Sequence, residues 1–209
     1  MRFVLLVEGH TEREAVGPFL KRWLDPRLSC PVGIRVVRFN GWRHLVDDIG
    51  ARARMHLDGP GGGEVIGAIG LLDLYGPEFY PRDRTSAEDR CLWAVQELET
   101  RVNHPRFRMF FAVHEVEAWI LSQPENLPHA VREALASKVS QPESIDFNEP
   151  PARLLDRLYE TRTGRSYKKR TYGRNLIDRL DPAVACQKCP RLAEMLDYML
   201  QAARAALLR

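Results

Sequence analysis

Short apolar runs bounded by polar or glycine-rich turns recur through the first half of the chain, and stretches of helical period separate them. Phe3 to Val7 is a continuous apolar run rich in β-formers. Its length and lack of alternation predict a strand buried on both faces, the central strand of a parallel sheet. The run stops at Glu8-Gly9. Thr11 then reads as the N-cap of a helix, with Glu14 completing a capping box. Ala15, Val16, Phe19, Leu20, Trp23 and Leu24 follow at helical spacing. Ile34 to Phe39 predicts a second strand, and a helix follows from about Arg43 to Leu57. That helix turns Leu45, Val46, Ile49 and Met55 inward and leaves Arg43, Asp47, Arg52 and Arg54 mostly outward. Val65 to Leu72 and Phe107 to Val113 predict two more buried strands, separated by a polar, aromatic loop (Pro77 to Arg84) and a helix from Ser86 to Val102. From Ser122 onward, short proline-punctuated helices replace the strand–helix alternation. The last, from Pro190 to Leu208, is amphipathic, with Leu192, Met195, Leu196, Met199 and Leu200 on its apolar side. The pattern predicts an α/β core over residues 1–121, a central parallel sheet flanked by helices, and a helical C-terminal extension over 122–209 packed on that core.

Three of the strands end in acid. Glu8 follows the first, Asp73 the third, and Glu115 and Glu117 the fourth. The carboxyl edge of a parallel sheet is where open α/β folds place their ligand crevices. Taken singly, each carboxylate is also an ordinary turn or helix-start residue. Gly9 tilts the reading at Glu8, because a glycine there permits a sharp turn or close approach to a ligand. A helix N-terminus beside Glu8 favours its ionised form. Glu115 and Glu117 share a face if the strand persists to 117, and diverge if a helix begins at 115. Clustered carboxylates repel one another, so the set suits a hard cation such as Mg²⁺ or Mn²⁺, which bridges readily to phosphate. His114 reads as a ligand or, more simply, a hydrogen-bonded structural residue.

Composition narrows the picture. The 209 residues are 44% apolar, enough for a substantial core. No apolar run approaches the length of a membrane span, and no signal peptide pattern opens the chain. Four scattered cysteines (Cys30, Cys91, Cys186, Cys189) suit reduced thiols in a cytoplasmic protein, and the lone Cys186-x-x-Cys189 is weak support for zinc. The glycine run after Asp58 lacks the lysine of a phosphate-binding loop and precedes a strand, so it reads as a flexible connector. Net charge is only +3, but residues 151–181 hold nine Lys/Arg against four acids. Lys168, Lys169, Arg170 and Arg174 lie in this stretch, with Tyr159, Tyr167 and Tyr172 interleaved. Such a surface suits a nucleic-acid backbone with room for base stacking.

Val7-Glu8-Gly9-x-Thr11-Glu12, Leu72-Asp73-Leu74-Tyr75-Gly76, Glu115-x-Glu117-Ala118-Trp119, Tyr167-Lys168 near Ile177-Asp178, and Cys189-Pro190 together resemble the DUF4276 family, whose members are Toprim-like. The motif order spans nearly the whole chain. The resemblance implies a Toprim-like (Rossmann-like) core. In Toprim enzymes, among them topoisomerases, primases and OLD-family nucleases, a glutamate after the first strand is the general acid/base and aspartates after a later strand bind Mg²⁺. Glu8 would take the first role here and Asp73 the second. Some relatives in the family are effector nucleases of anti-phage defence, including enzymes that cut tRNA. This chain departs from the pattern at Tyr75, where Toprim proteins carry a second aspartate, and this leaves Glu115 or Glu117 to substitute.

The combined expectation is a metal-dependent nuclease, RNA slightly ahead of DNA. Glu8 would be catalytic, Asp73, Glu115 and Glu117 metal ligands, and Lys168, Lys169, Arg170 and Arg174 the nucleic-acid contacts. The chain is compatible with an oligomer. Two rivals stand beside this reading. One is a non-catalytic scaffold that docks on a partner protein such as an ATPase, favoured by the missing second aspartate. The other is a small-nucleotide hydrolase or transferase, which needs no extended basic surface.

Overall fold

The computed structural model of the chain describes residues 1–9, 12–135, 140–145 and 148–208. Strand β1 (Arg2–Val7) lies between β2 (Gly33–Arg38) and β3 (Val65–Asp73), and β4 (Phe107–Ala112) pairs with the far side of β3. All three pairings are parallel. The chain therefore moves outward from β1 to β2 and then crosses back to β3 on the other side. Strand order reverses between β1 and β3, and the connections diverge there, opening a crevice at the carboxyl edge. Glu8 follows one of these strands and Asp73 ends the other.

The five residues from Phe3 to Val7 are all fully buried, because both faces of the sheet are covered. Phe3, Leu5 and Val7 pack towards helix α1 (Gly17–Leu24) and the C-terminal helices; Val4 and Leu6 pack towards α2 (Trp42–Asp58) and α3 (Ala87–Val102). The two-residue alternation of a strand serves both layers, which is why the run reads as unbroken apolar sequence. Ser86 caps α3, its hydroxyl accepting the Asp89 N–H at 3.0 Å.

After β4 come α4 (Glu117–Leu121), α5 (His129–Leu135), α6 (Pro151–Thr163), α7 (Arg174–Arg179), α8 (Pro182–Lys188) and α9 (Pro190–Leu207). Proline opens α6, α8 and α9, at positions where a helix has no use for the missing N–H. The expected face of α9 (Leu192, Met195, Leu196, Met199, Leu200) is buried, and it joins one apolar cluster with Phe3, Leu5 and Ile69 of the sheet. Among the described residues no helix is long and apolar enough to cross a membrane.

Several local expectations change. Met55 is half exposed, not inward: α2 places it off the stripe formed by Leu45, Val46, Ile49, Ala53 and Leu57. The glycine run is a pinned turn, not a flexible connector. A Cβ on Gly59 would lie 2.3 Å from the Met55 carbonyl oxygen, and one on Gly62 2.3 Å from that of Leu57. The Arg106 guanidinium ties the turn down by donating to the carbonyls of Leu57, Gly62 and Val65 at 2.8, 3.0 and 2.7 Å. At the first helix the chain enters through a wide π-type turn, Glu12–Val16. Thr11, the expected cap, lies outside the described residues, and the Glu14 carboxylate is held by Arg174 at 2.9 Å.

Candidate metal centre

β3 carries its buried run one residue further than its apolar pattern, so that Asp73 is still in register with Ala112 of β4. The residue is 4% exposed. One carboxylate oxygen, Oδ1, accepts the Val116 N–H at 3.1 Å, which points the carboxylate towards the segment that follows β4. That segment settles the alternative left open for Glu115 and Glu117. The strand stops at Ala112, and His114 takes a left-handed backbone (φ 62°) that reverses the chain. Glu115 then sits in the turn and Glu117 in the first turn of α4. Neither a continued strand nor a helix from 115 is present, and the left-handed residue lets both carboxylates enter the same space. One oxygen each from Asp73, Glu115 and Glu117 lies within 4.8 Å of the others. His114, buried in the turn before Glu115, stands outside this group.

The C-terminal region completes the site. The Glu115 Oε2 accepts the Ala152 N–H at 2.8 Å, from the first turn of α6, where the helix dipole favours an anion. The Tyr167 hydroxyl donates to Glu117 Oε1 at 3.5 Å. Lys169 reaches into the cluster, its Nζ 3.2 Å from Asp73 Oδ2 and 3.1 Å from Glu117 Oε2. Glu117 is fully buried and its Oε2 has no aligned hydrogen bond, only this charge contact. Burial pushes the Glu115 carboxyl up to about 7; Glu117 and Asp73 add to the rise, while Lys169 and the Ala152 N–H oppose it. Burial raises Glu117 as well, against the pull of Lys169. Two buried carboxylates and a partly buried third meet one ammonium among the described residues, so acid outnumbers base in the cluster. With all-oxygen donors, the set fits a hard divalent cation such as Mg²⁺ or Mn²⁺.

Glu8 lies beside the triad without joining it. Val7 is in register with Leu71, which sets Glu8 next to the end of β3. Its carbonyl accepts the Gly41 N–H at 3.0 Å, its side chain is half buried, and Gly9, the next residue, accepts the Arg13 N–H. Burial raises the Tyr80 hydroxyl above its usual range; Arg90 opposes the rise, and the charges of Glu8 and Asp73 add to it. Glu12 opens the π-type turn that follows. Tyr75, at the position of the missing aspartate, is half buried; its N–H donates to the His114 carbonyl, and the Arg153 guanidinium lies 5.8 Å from its ring.

The basic stretch divides. Lys168 and Arg170 are exposed, whereas Arg174 pairs with Glu14 and Asp178, and Lys169 serves the acidic cluster. The interleaved tyrosines pack on one another and do not stand free in solvent. Tyr159 and Tyr167 are buried, and the ring centres of these two and Tyr172 lie 5.5 to 6.4 Å apart. Cys186 and Cys189 have no third ligand: the acidic triad is the one metal-type group among the described residues. Sequence reasoning missed Arg153, the Ala152 N–H and the contact of Tyr167 with Glu117. Only the Tyr167-Lys168 pair within the family motif pointed towards that last one.

No curated protein matches the chain. Among solved structures, the C-terminal region of the Burkholderia pseudomallei OLD protein is similar at 20% identity over 97% of this chain and 98% of its own, with a TM-score of 0.49. The C-terminal region of the Xanthomonas campestris pv. campestris OLD protein is similar at 21% identity over 100% and 98%, also with a TM-score of 0.49. The family model described as "Domain of unknown function (DUF4276)" matches from residue 7 to residue 200, which takes in Glu8, the acidic triad and Lys169. The chain belongs to the DUF4276 family.

Proposed function

We propose that this chain is a metal-dependent nuclease of Toprim type, cutting RNA such as tRNA ahead of DNA, as an effector of anti-phage defence. The observation that carries the reading is the meeting of Asp73, Glu115 and Glu117 within 4.8 Å at the carboxyl ends of β3 and β4, with Glu8 at the end of the neighbouring β1. The three carboxylates would hold Mg²⁺ or Mn²⁺, which when bound supplies charge stabilisation for a phosphodiester. Glu8, outside the ligand set and half exposed, orients or deprotonates the attacking water. Lys169 is placed to pass from carboxylate to phosphate oxygen, since both are anionic acceptors within reach of one flexible ammonium. Lys168 and Arg170 hold the flanking backbone.

Calorimetry with Mg²⁺ or Mn²⁺ on wild type, Glu8→Gln and Asp73→Asn, followed by cleavage of mixed RNA and DNA in the same samples, tests the assignment. The expected result is metal binding lost with Asp73→Asn, retained with Glu8→Gln, and cleavage lost in both. Absence of metal binding by the wild type, even with nucleic acid present, would favour a second reading: a non-catalytic scaffold docking on a partner such as an ATPase. Tyr75 in place of a carboxylate, and an ammonium already within the cluster, speak for that alternative.

A further inference from the structure

One tyrosine away from the acidic triad, a cavity of about 750 Å³ opens between the turn after α4 and helices α6 and α7. The volume lies within the range of small-molecule sites, roughly 300 to 1,000 Å³. Its lining combines three chemistries. Tyr159, Tyr172 and Leu176 form an aromatic and aliphatic wall. Arg165 and Arg179 stand at it as exposed guanidiniums, and neither is ion-paired among the described residues. Other arginines of the chain are tied down, Arg22 and Arg106 on carbonyls and Arg174 and Arg191 on carboxylates. The third component is polar and can read a base edge, namely the Asn175 amide and the Glu125 carboxylate.

We propose that this cavity is a nucleotide site, distinct from the metal centre. An aromatic base would lie against the half-buried Tyr172 ring, with the edges of Tyr159 and Leu176 behind it, its exocyclic amine or ring N–H donating to Glu125 or to the Asn175 amide oxygen. Its phosphate would take the paired N–H forks of Arg165 and Arg179, the geometry guanidinium offers to phosphate oxygens. The two tyrosines back onto Tyr167, whose hydroxyl reaches Glu117, so an occupant would sit beside the acidic cluster. The same chemistry describes a free nucleotide and one nucleotide of a strand whose next phosphodiester lies at the triad.

Titrating the full chain in EDTA by calorimetry separates these sources. The probes are AMP, GMP, CMP and UMP, inorganic phosphate, and a tetranucleotide of mixed sequence. With a monophosphate bound, and binding weakened about tenfold or more by Arg165→Ala with Arg179→Ala, the site takes free nucleotides. With only the tetranucleotide bound, and weakened by the same pair, it is a strand subsite. Both substituted side chains are exposed, so the variant keeps its fold, which far-UV circular dichroism confirms. Tyr172→Leu checks the base contact by weakening nucleotide and sparing phosphate. The proposal is overturned if no nucleotide form binds at millimolar concentration. It is equally overturned if binding ignores the arginine pair, or if phosphate alone binds as tightly as any nucleotide. No divalent metal is present, so the outcome does not depend on whether the triad hydrolyses phosphodiesters.

Discussion

Replacing Lys169 by methionine removes the one ammonium that, among the described residues, touches the acidic cluster, while keeping most of the side chain's bulk. Lys169 Nζ contacts Asp73 Oδ2 and Glu117 Oε2 at 3.2 and 3.1 Å, and those two side chains are 5% and 0% exposed. Removing one partner of a buried ion pair costs about 3–5 kcal/mol, because the remaining charge stays desolvated and uncompensated. Lys169 itself is 36% exposed, and solvent screening moves the expectation to the low end, about 3 kcal/mol at pH 8. Lower pH should shrink the loss, since a carboxylate freed of its cation takes up a proton; at pH 5.5 we expect about 1 kcal/mol. Urea unfolding followed by circular dichroism, in EDTA at both pH values, reads this as a midpoint shift on the order of 1 M at pH 8. Repeating the measurement in Mg²⁺ should restore much of the loss, because a divalent ion supplies the missing positive charge. A loss that is the same at both pH values and unmoved by Mg²⁺ would refute the electrostatic account and leave Lys169 as a packing residue.

Three further outcomes follow from the same geometry. The folded Glu115 carboxyl titrates near 7 against an ordinary value of 4.5, so the folded state binds the proton more tightly. Its contribution to stability is therefore full below about pH 4.5 and lost as pH rises through 7, at most about 3 kcal/mol. In metal-free protein, urea midpoints across pH 5 to 8 should fall with pH, and Glu115→Gln should flatten that slope. Arg106→Ala deletes three charge-assisted hydrogen bonds on the glycine turn and should cost about 2–4 kcal/mol in the same unfolding assay, without changing Mg²⁺ affinity measured by calorimetry. Lys168→Glu with Arg170→Glu, both exposed, should reduce the salt dependence of nucleic-acid binding by a slope of about 2, read from affinities at a series of salt concentrations. An unchanged slope would remove those two residues from the interface.

Chain order and residue type alone determined the parallel strands and the acids that end them. A buried strand needs only its own apolar run, and the break at Glu8-Gly9 or Asp73 is visible within a few residues. The sequence could not choose between strand and helix at Glu115 and Glu117, because that choice rested on one left-handed residue, His114, in a run with no glycine to announce it. It also misassigned Tyr159 and Tyr167, since tyrosines spaced among cations look alike whether they face solvent or each other. Tertiary structure alone decided what neutralises the site. Lys169 lies 96 positions from Asp73, Tyr167 50 from Glu117, and Ala152 37 from Glu115. Local pattern carries information about backbone hydrogen bonding and burial over a few residues. Which distant cation meets a given carboxylate is decided by how α6 and the segment after it pack across the sheet edge, a balance of burial and charge expressed only once the chain has folded.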